Sequence, residues 1–562
     1  MDLKKYDQYV INNADYLIKQ KNTGLTMMAL APAYLLSIAP KDFDKKKKAA
    51  LIKVIENICD TWSDTMEKEF ASYGPHCTSE WEIMSICQIK ELIGNTLNKK
   101  KLNRWKKWAD EYCKAQLKRP FYYTSYNHEI MRCAAISYFG KVFQKPSYRE
   151  QSKNMAKQLL NFASPLGFYE EGPHHGPSMK YNYIMLHGLA WMTRFSKDKN
   201  LEKATAKLAD LMATYAYPDG STMGPLDGRQ TSGLSSRLGL QCGLELSNKG
   251  TSLQRKNYST TYDNAIKEND PEFMLRYFSI SSAIYFKSFK IKWLKEKQIP
   301  LDKNCQWIES SPDFKALVKR KGKWVCCLSA HNSHIPKETK SVFRLERQSR
   351  IELWHKDLGL VIGGGHNKYG NKTPYANCMA STGYLDQDFD FGLIKGKDQK
   401  ANHAMYYARS IKVSFESNHP TIELFFAHYT LKFTVLIVSD KKIKINWQLE
   451  HHGVNKIAIQ IPIVVPKNGV LISNKKEIKN KYKGNSKLTK GKQFAVQSKE
   501  RKAFTVKSNG SCGIRHSNMP LITYVEDEAD FFDKVPYHIA MLSNQIIKPK
   551  KKCSGTFDIT IK

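Results

Sequence analysis

The chain has 562 residues, of which 41% are hydrophobic, 11% aromatic and 25% charged, enough length for two or more domains with cores of their own and no disulfide staples. Its 29 Tyr, 25 Phe and 10 Trp exclude a disordered chain, and 31 Gly with 21 Pro in no fixed period exclude a collagen-like or low-complexity one. Lys and Arg number 89 against 53 for Asp and Glu, a net charge of +36; such a field draws nucleic acid, an anionic membrane or an acidic polysaccharide, the plain alternative being a lysine-rich surface that only aids solubility.

From about residue 4 to 296 apolar residues recur at helical spacing. The pattern predicts helices over Tyr16–Ile18, Leu25–Leu36, Ala49–Trp62, Trp81–Leu97, Trp105–Leu117 and Glu129–Phe143. It continues over Met155–Phe162, Tyr183–Phe195, Leu201–Tyr215 and Phe273–Phe286. Turn-rich breaks fall at Ala39–Asp42, Tyr73–Pro75, Gln144–Ser147 and Tyr217–Gly220. Short links make neighbouring helices antiparallel, and a long series of such hairpins gives a solenoid or a closed α/α toroid. No strict repeat of about 34 or 40 residues is present, which favours an enzyme toroid over a TPR-like scaffold. The runs Lys45–Lys48, Lys99–Lys101 and Lys550–Lys552 are short, sit beside turn-like sequence and read as solvated faces.

From about residue 315 the period changes to two. Strand-like segments are Trp324–Leu328, Arg350–Trp354, Leu360–Ile362, Ile411–Phe415, Thr421–Phe426, Leu431–Val438, Ile443–Trp447 and Ile457–Val465. Short strands joined by turns predict antiparallel sheets packed as a sandwich. The expected architecture is therefore α+β and multidomain. An N-terminal α/α toroid spans 1–300, a linker with Pro300 and Pro312 in or beside it spans 301–314, and an antiparallel β-sandwich spans 315–562.

Twelve cysteines are scattered, Cys326 and Cys327 are adjacent and no CxxC pair occurs, so most are expected as buried thiols. No apolar stretch approaches the roughly 20 residues of a membrane helix. The first residues, Met1–Tyr6, contain no apolar signal-peptide segment. The expectation is a secreted or periplasmic protein from which a signal peptide has been removed, with a cytoplasmic protein as the alternative.

Three segments of the helical half gather polar and aromatic residues at helix entrances. They are Tyr126-Asn127-His128-Glu129; Gly167–Pro177 with Tyr181-Asn182-Tyr183; and Tyr217–Gly220 with Met223–Thr231. Each has a bland reading. Asn127 caps the helix that follows, His174-His175 lie on a surface loop, Tyr181 and Tyr183 are packing residues, and Arg229 forms a cap or ion pair. A metal pair from adjacent histidines is disfavoured because they point in different directions. Against the bland readings stands the combination of Asn, His, Tyr and Arg on successive helical hairpins of a strongly basic chain.

Those residue types suit β-elimination of a uronic acid polymer. The C6 carboxylate must be neutralised before the adjacent carbon can lose a proton, and Asn, His or Arg donors do this. A base takes the C5 proton and an acid protonates the leaving oxygen, tasks for His and Tyr. The scheme requires no cofactor.

At this level the chain resembles the toroid polysaccharide lyases, namely the heparinase II/III, alginate (oligoalginate) and chondroitin/hyaluronate lyase groups. Asn127-His128 resembles the element that neutralises the carboxylate, and Phe168–Pro173 followed by a tyrosine-bearing helix resembles the Glu-Gly-Pro segment that delivers the catalytic Tyr. The spacing from His174 or His175 to Tyr183 is similar to the His-then-Tyr pair of the chondroitin/hyaluronate group, and Arg229 to the arginine that follows it. The resemblance implies catalytic roles for Asn127, His128, His174, His175, Tyr181, Tyr183 and Arg229, with the choice between the two tyrosines and between the two histidines open. Glu171 and Asp227 are expected to bind substrate, as are Arg344, Arg347 and His366 near the first strands. Arg350 and His355 lie in the same stretch, and the alternative for these arginines is a solvated face. The His-x-His-x-Asp element of many heparinase II/III sandwiches is not evident. The nearest segment, Gly363–Gly370, reads as a strand-end turn and not a dinucleotide loop, so a structural metal there is not supported.

Two rivals remain. An α/α-toroid glycoside hydrolase would use paired carboxylates from Glu170, Glu171, Asp219 and Asp227. A non-catalytic polyanion binder is permitted by the charge, but no RRM, zinc-finger or helix-turn-helix signature supports nucleic acid as the partner. The expected partner is an anionic polysaccharide, with no nucleic acid and no membrane; alginate, glucuronan and the glycosaminoglycans all present uronates.

Overall fold

The computed structural model describes residues 2–20, 24–72, 79–121, 125–170, 178–224, 239–268, 271–311, 314–331, 348–363, 379–381, 410–425, 429–451, 458–466, 469–478, 489–498, 503–516, 537–544 and 551–562. The chain divides into two compact units. The first comprises Met1–Gly172, Tyr181–Thr214 and Arg237–Ile299; the second comprises Pro173–Lys180, Tyr215–Ser236 and Pro300–Lys562.

The first unit is helical. Its helices are α1 (Leu3–Asn12), α2 (Ala14–Ile18), α3 (Leu30–Ile38), α4 (Lys45–Ser72), α5 (Ser79–Ile93), α6 (Lys99–Lys118) and α7 (Tyr126–Val142). There follow α8 (Pro146–Leu159), α9 (Met179–Ser196), α10 (Lys199–Thr214), α11 (Asn248–Glu268), α12 (Pro271–Met274) and α13 (Tyr277–Ser288). Local chemistry sets several boundaries. Gln144 adopts a φ of 57° and Pro146 opens α8, so the chain reverses within a few residues and α8 folds back on α7. Asn98 caps α6 by accepting from the N–H groups of Lys100 and Lys101. α11 was not expected, because its segment is polar along most of its length and offers little apolar periodicity; burial of Leu253, Tyr258 and Ala265 holds it in place.

Side-chain contacts fix the relative directions of the inner helices. Along α5 and α7, Glu80 meets His128 and Glu91 meets Tyr138. Along α7 and α9, Ile130 lies against Gly188 and Tyr138 against Trp191 and Phe195. Along α9 and α13, His187 meets Phe278 and Ser281, Trp191 meets Tyr285, and Phe195 meets Phe289. Along α5 and α13, Trp81 meets Phe278 and Gln88 meets Ser281. In every pair the contacts advance in the same sense, so α5, α7, α9 and α13 are parallel and their N-termini share one end of the unit. By contrast Arg119, just past the end of α6, reaches Glu129 at the start of α7, so α6 runs the other way.

The second unit is antiparallel β. Its strands are β1 (Cys305–Ser311), β2 (Phe314–Lys321), β3 (Trp324–His331), β4 (Gln348–His355), β5 (Gly359–Ile362), β6 (Met379–Ser381), β7 (Ser410–Glu416), β8 (His419–Phe425) and β9 (Tyr429–Ser439). They continue with β10 (Lys442–His451), β11 (Ala458–Pro466), β12 (Gly469–Ser473), β13 (Lys476–Ile478), β14 (Thr489–Ser498), β15 (Phe504–His516), β16 (Tyr537–Asn544) and β17 (Lys551–Ile561). β1 to β5 pair in succession, and β5 reaches β16 through β11. β15 turns the corner. Its Cys512–His516 end pairs with β16, and its Phe504–Ser508 end pairs with β17, which continues through β10, β9 and β8 to β7. β2 and β3 lie against β7 and β8, and Leu317, Leu328, Val413, Ile422 and Leu424 share one apolar core. Residues 305–311, expected as linker, form β1 instead. Their backbone pairs along its length with β2 from Cys305↔Arg320 to Ser311↔Phe314, which a run lacking hydrophobic alternation did not announce.

Candidate active site

The shared N-terminal end of α5, α7, α9 and α13 brings together the positive ends of four helix dipoles, an environment suited to an anion. α7 begins at Tyr126, with Ser125 in the capping position, so Asn127 lies inside the first turn and is not the cap. Asn127 is 4% exposed, and its Nδ2 has no hydrogen-bond partner among the described residues. A buried amide donor left without an acceptor costs roughly 1–3 kcal/mol, which an acceptor on a bound anion would recover.

His128 stands beside it. Its Nδ1 lies 2.6 Å from Oε1 of Glu80, a carboxylate that is buried on α5. Trp81 Nε1 donates to the same oxygen at 2.9 Å, and Tyr112 OH donates to the other at 3.4 Å. The His128 side chain is 27% exposed, so it runs from a buried carboxylate toward solvent. One residue on, Glu129 is fully buried between Arg119 and Arg132, at 3.0 and 2.7 Å. This ion cluster anchors the first turn of α7. Glu80 was not singled out from sequence, where it reads as one more acid at a helix start; the pairing across 48 residues supplies the missing signal.

The α9 tyrosines are separated by their place on the helix. Two residues subtend about 200°, so Tyr181 and Tyr183 point to different sides. Tyr181 is half-buried and Tyr183 is 2% exposed. Gln241 Nε2 donates to the Tyr183 carbonyl at 3.1 Å while its own N–H donates to Gln254 at 2.7 Å. Between the tyrosines, Asn182 accepts from the N–H of Tyr169 at 2.8 Å and donates to its carbonyl at 2.9 Å. The amide thereby clamps the Phe168–Tyr169 stretch onto α9. His174, His175, Glu171, Arg229, Asp227, Arg344, Arg347 and His366 lie outside the described residues.

Within the second unit, Tyr217 OH donates to Glu352 Oε2 at 2.7 Å and the Gly224 N–H to the same oxygen at 3.0 Å. The Tyr217 ring stacks on Trp354, 5.7 Å between centroids and 7° between planes. A Cβ at Gly224 would fall 2.2 Å from Glu352 Oε1, so only glycine allows this approach. Thus Glu352, mid-strand in β4, holds both ends of the Tyr217–Gly224 segment. Arg350, for which a solvated face was the alternative, does not lie on one. Arg350 is fully buried. His355 is 1% exposed, with Nε2 2.9 Å from the Asp440 carbonyl and Nδ1 accepting from the Asp357 N–H at 3.1 Å. β4 is covered on both faces, so strand alternation there does not separate core from solvent. Asp219 is occupied in its own turn, accepting from Ser221 N and Oγ at 3.0 and 2.6 Å.

Among the described residues no group of three or more His, Cys, Asp or Glu is arranged to hold a metal ion, and no helix is long and apolar enough to cross a membrane.

No protein-family model matches the chain, and no curated protein sequence matches it. Solved structures do. The chain is similar to the chondroitin AC lyase of Streptomyces coelicolor A3, in complex with chondroitin sulphate, at a TM-score of 0.54 and 9% identity, over 99% of this chain and 78% of that one. It is similar to a Paenibacillus xanthan lyase at a TM-score of 0.53 and 11% identity, over 100% of this chain and 58% of that one. The chain shares the fold of these polysaccharide lyases.

Proposed function

We propose that this chain is a polysaccharide lyase that cleaves a uronate-containing anionic polysaccharide by β-elimination, its helical half an α/α toroid and its β half a sandwich. The observation that carries the reading is the buried, unpartnered Nδ2 of Asn127 beside the carboxylate-held His128, at the end where α5, α7, α9 and α13 begin. In the proposed reaction Asn127 and His128 hold the C6 carboxylate. Their hydrogen bonds strengthen as charge moves onto it in the transition state. His174 or His175, or the catalytic tyrosine itself, takes the C5 proton. The electron pair of that C–H bond forms the C4=C5 double bond, the C4–O bond breaks, and Tyr183 protonates the departing oxygen. The fastening of Tyr183 through Gln241 suits a group that must hold its place during proton transfer. Arg229 orients the sugar, and Glu171, Asp227, Arg344, Arg347 and His366 contribute binding along the polymer. The proposed reaction calls for no cofactor, and the proposed setting is secreted or periplasmic.

The test is a panel of alginate, glucuronan, hyaluronate, chondroitin and heparin-type chains, followed by near-UV absorbance of the unsaturated uronate. Elimination of at least one polymer is expected. Tyr183→Phe should lower kcat by about 10²–10⁴ and Asn127→Ala by about 10²–10³, both remaining folded. If Tyr183→Phe retains full rate, the same change at Tyr181 identifies the acid. Products heavier by one water, without absorbance, would replace elimination by hydrolysis.

A further inference from the structure

We infer that Glu80 is a positioning residue for His128. It fixes the proton of the ring on Nδ1, so that His128 acts on substrate through Nε2; this rests on the lyase reading for its functional consequence. The Glu80 side chain is 1% exposed, and a carboxylate so buried persists only where donors meet it. Three do: His128 Nδ1 at 2.6 Å, Trp81 Nε1 at 2.9 Å and Tyr112 OH at 3.4 Å. The Trp81 and Tyr112 donors come from α5 itself and from α6, so the carboxylate is held from two elements before it meets the ring. An acceptor in that place dictates which imidazole nitrogen carries the proton.

Two other histidines show what a packing role looks like in this chain. His187 is fully buried, with Ser281 and Trp191 at Nε2 and Cys242 at Nδ1. His355 is 1% exposed, with both nitrogens against backbone. Neither pairs with a carboxylate in these contacts or reaches solvent. His128 does both, being 27% exposed, and it adjoins Asn127 with its unpartnered amide. A carboxylate buried behind a partly exposed imidazole orients the ring for work on its outer side.

The test uses the full chain labelled with ¹⁵N-histidine, the His128 resonances being those lost in His128→Gln. Long-range ¹H–¹⁵N spectra should show His128 protonated at Nδ1 in the wild type. In Glu80→Ala the Nδ1 proton should be lost as the ring changes tautomer, whereas Glu80→Gln, which keeps an acceptor oxygen, should retain a larger share of it. On the polymer that the wild type eliminates, kcat should fall about 10- to 100-fold in Glu80→Ala with KM changing little, and Glu80→Gln should recover part of the loss. A wild-type ring unprotonated at Nδ1 overturns the inference, whatever the chain turns over. A folded Glu80→Ala protein with wild-type kcat also overturns it and leaves the lyase reading standing. If no polymer is eliminated, the lyase reading fails and the tautomer alone decides the role of Glu80. Should Glu80→Ala not fold, Trp81→Phe removes one of the donors that hold the carboxylate and should broaden or shift the same Nδ1 signal; an unchanged signal there counts against the inference.

Discussion

At the scale of single residues, burial divides the ionisable groups into those that work at a surface and those that report on folding. His187 belongs to the second kind. Burial lowers its pKa from 6.5 to about 3, so as pH falls the unfolded chain takes up the proton first. Its contribution to stability is whole above pH 6.5 and is lost as pH falls toward 3, each unit of separation being worth about 1.4 kcal/mol. His187→Gln cannot titrate, and its Tm should therefore decline less than that of the wild type between about pH 6.5 and 4; parallel declines would place the acid sensitivity elsewhere. Glu82 has the opposite sign. Burial, with Glu80 and Glu69 nearby, raises its pKa from 4.5 to about 8, and its Oε2 has no hydrogen-bond partner among the described residues. The folded state binds the proton more tightly, so the contribution of Glu82 is present below pH 4.5 and is lost as pH rises through 8. Glu82→Gln should match the wild-type Tm near pH 5 and exceed it near pH 9, as thermal melts at the two values would show.

At the scale of elements, the candidate site depends on helices that run in one direction and on how closely they approach. Gly188 is where α9 meets α7. A Cβ there would lie 2.7 Å from Ile130 Cγ2, well inside van der Waals contact. Ile130 is three residues beyond Asn127, so widening this contact displaces the first turn of α7. Gly188→Ala should cost about 1–3 kcal/mol, measured as a lower urea midpoint with unchanged slope. In an Ile130→Ala background, where both γ carbons that the new Cβ would meet are gone, Gly188→Ala should cost less than it does in the wild type; simple additivity of the two changes would show that the contact is not the cause. The β elements carry the same lesson in reverse. In β4, Ile351 and Leu353 enter the apolar core, while Arg350, Glu352 and Trp354 are buried on the other face. The charged side of that strand is thus an anchoring surface for Tyr217 and Gly224 rather than a wetted one.

At the scale of the whole molecule, the chain carries a net charge of +36, and some of its cations already face carboxylates. Three cations of α6 are paired locally with acids of α4 or of α6 itself. Lys101 pairs with Glu56 and Asp60, Arg104 with Asp64 and Glu67, and Lys114 with Asp110 and Glu111. Such exposed pairs add little stability, but they remove these cations from the field that a polyanion meets. The net charge is carried by the cations in excess of such pairs. If it attracts substrate, raising ionic strength from low to physiological should raise KM for the polymer severalfold while kcat stays level, since screening weakens long-range attraction and leaves the chemistry alone. A KM indifferent to salt would reduce the charge to a solubility feature.

The sequence by itself determined the division into a helical and an antiparallel β half, because the apolar period of each half reflects which face of a helix or strand must leave water. It located most of the helices, the strands from β3 to β5 and those from β7 to β11, and it drew attention to Asn127, His128, Tyr181 and Tyr183. It did not announce α11 or β1, whose residues lack the alternation that burial on a single face imposes, and it left a solvated face open for Arg350, since a strand covered on both faces has no solvent side to betray. Nor could it bring Glu80 to His128 or Glu352 to Tyr217, pairs separated by 48 and 135 residues. Only the tertiary structure decided those. A buried carboxylate is tolerated where the packing of several elements supplies its donors, and that condition is written in no local stretch of chain.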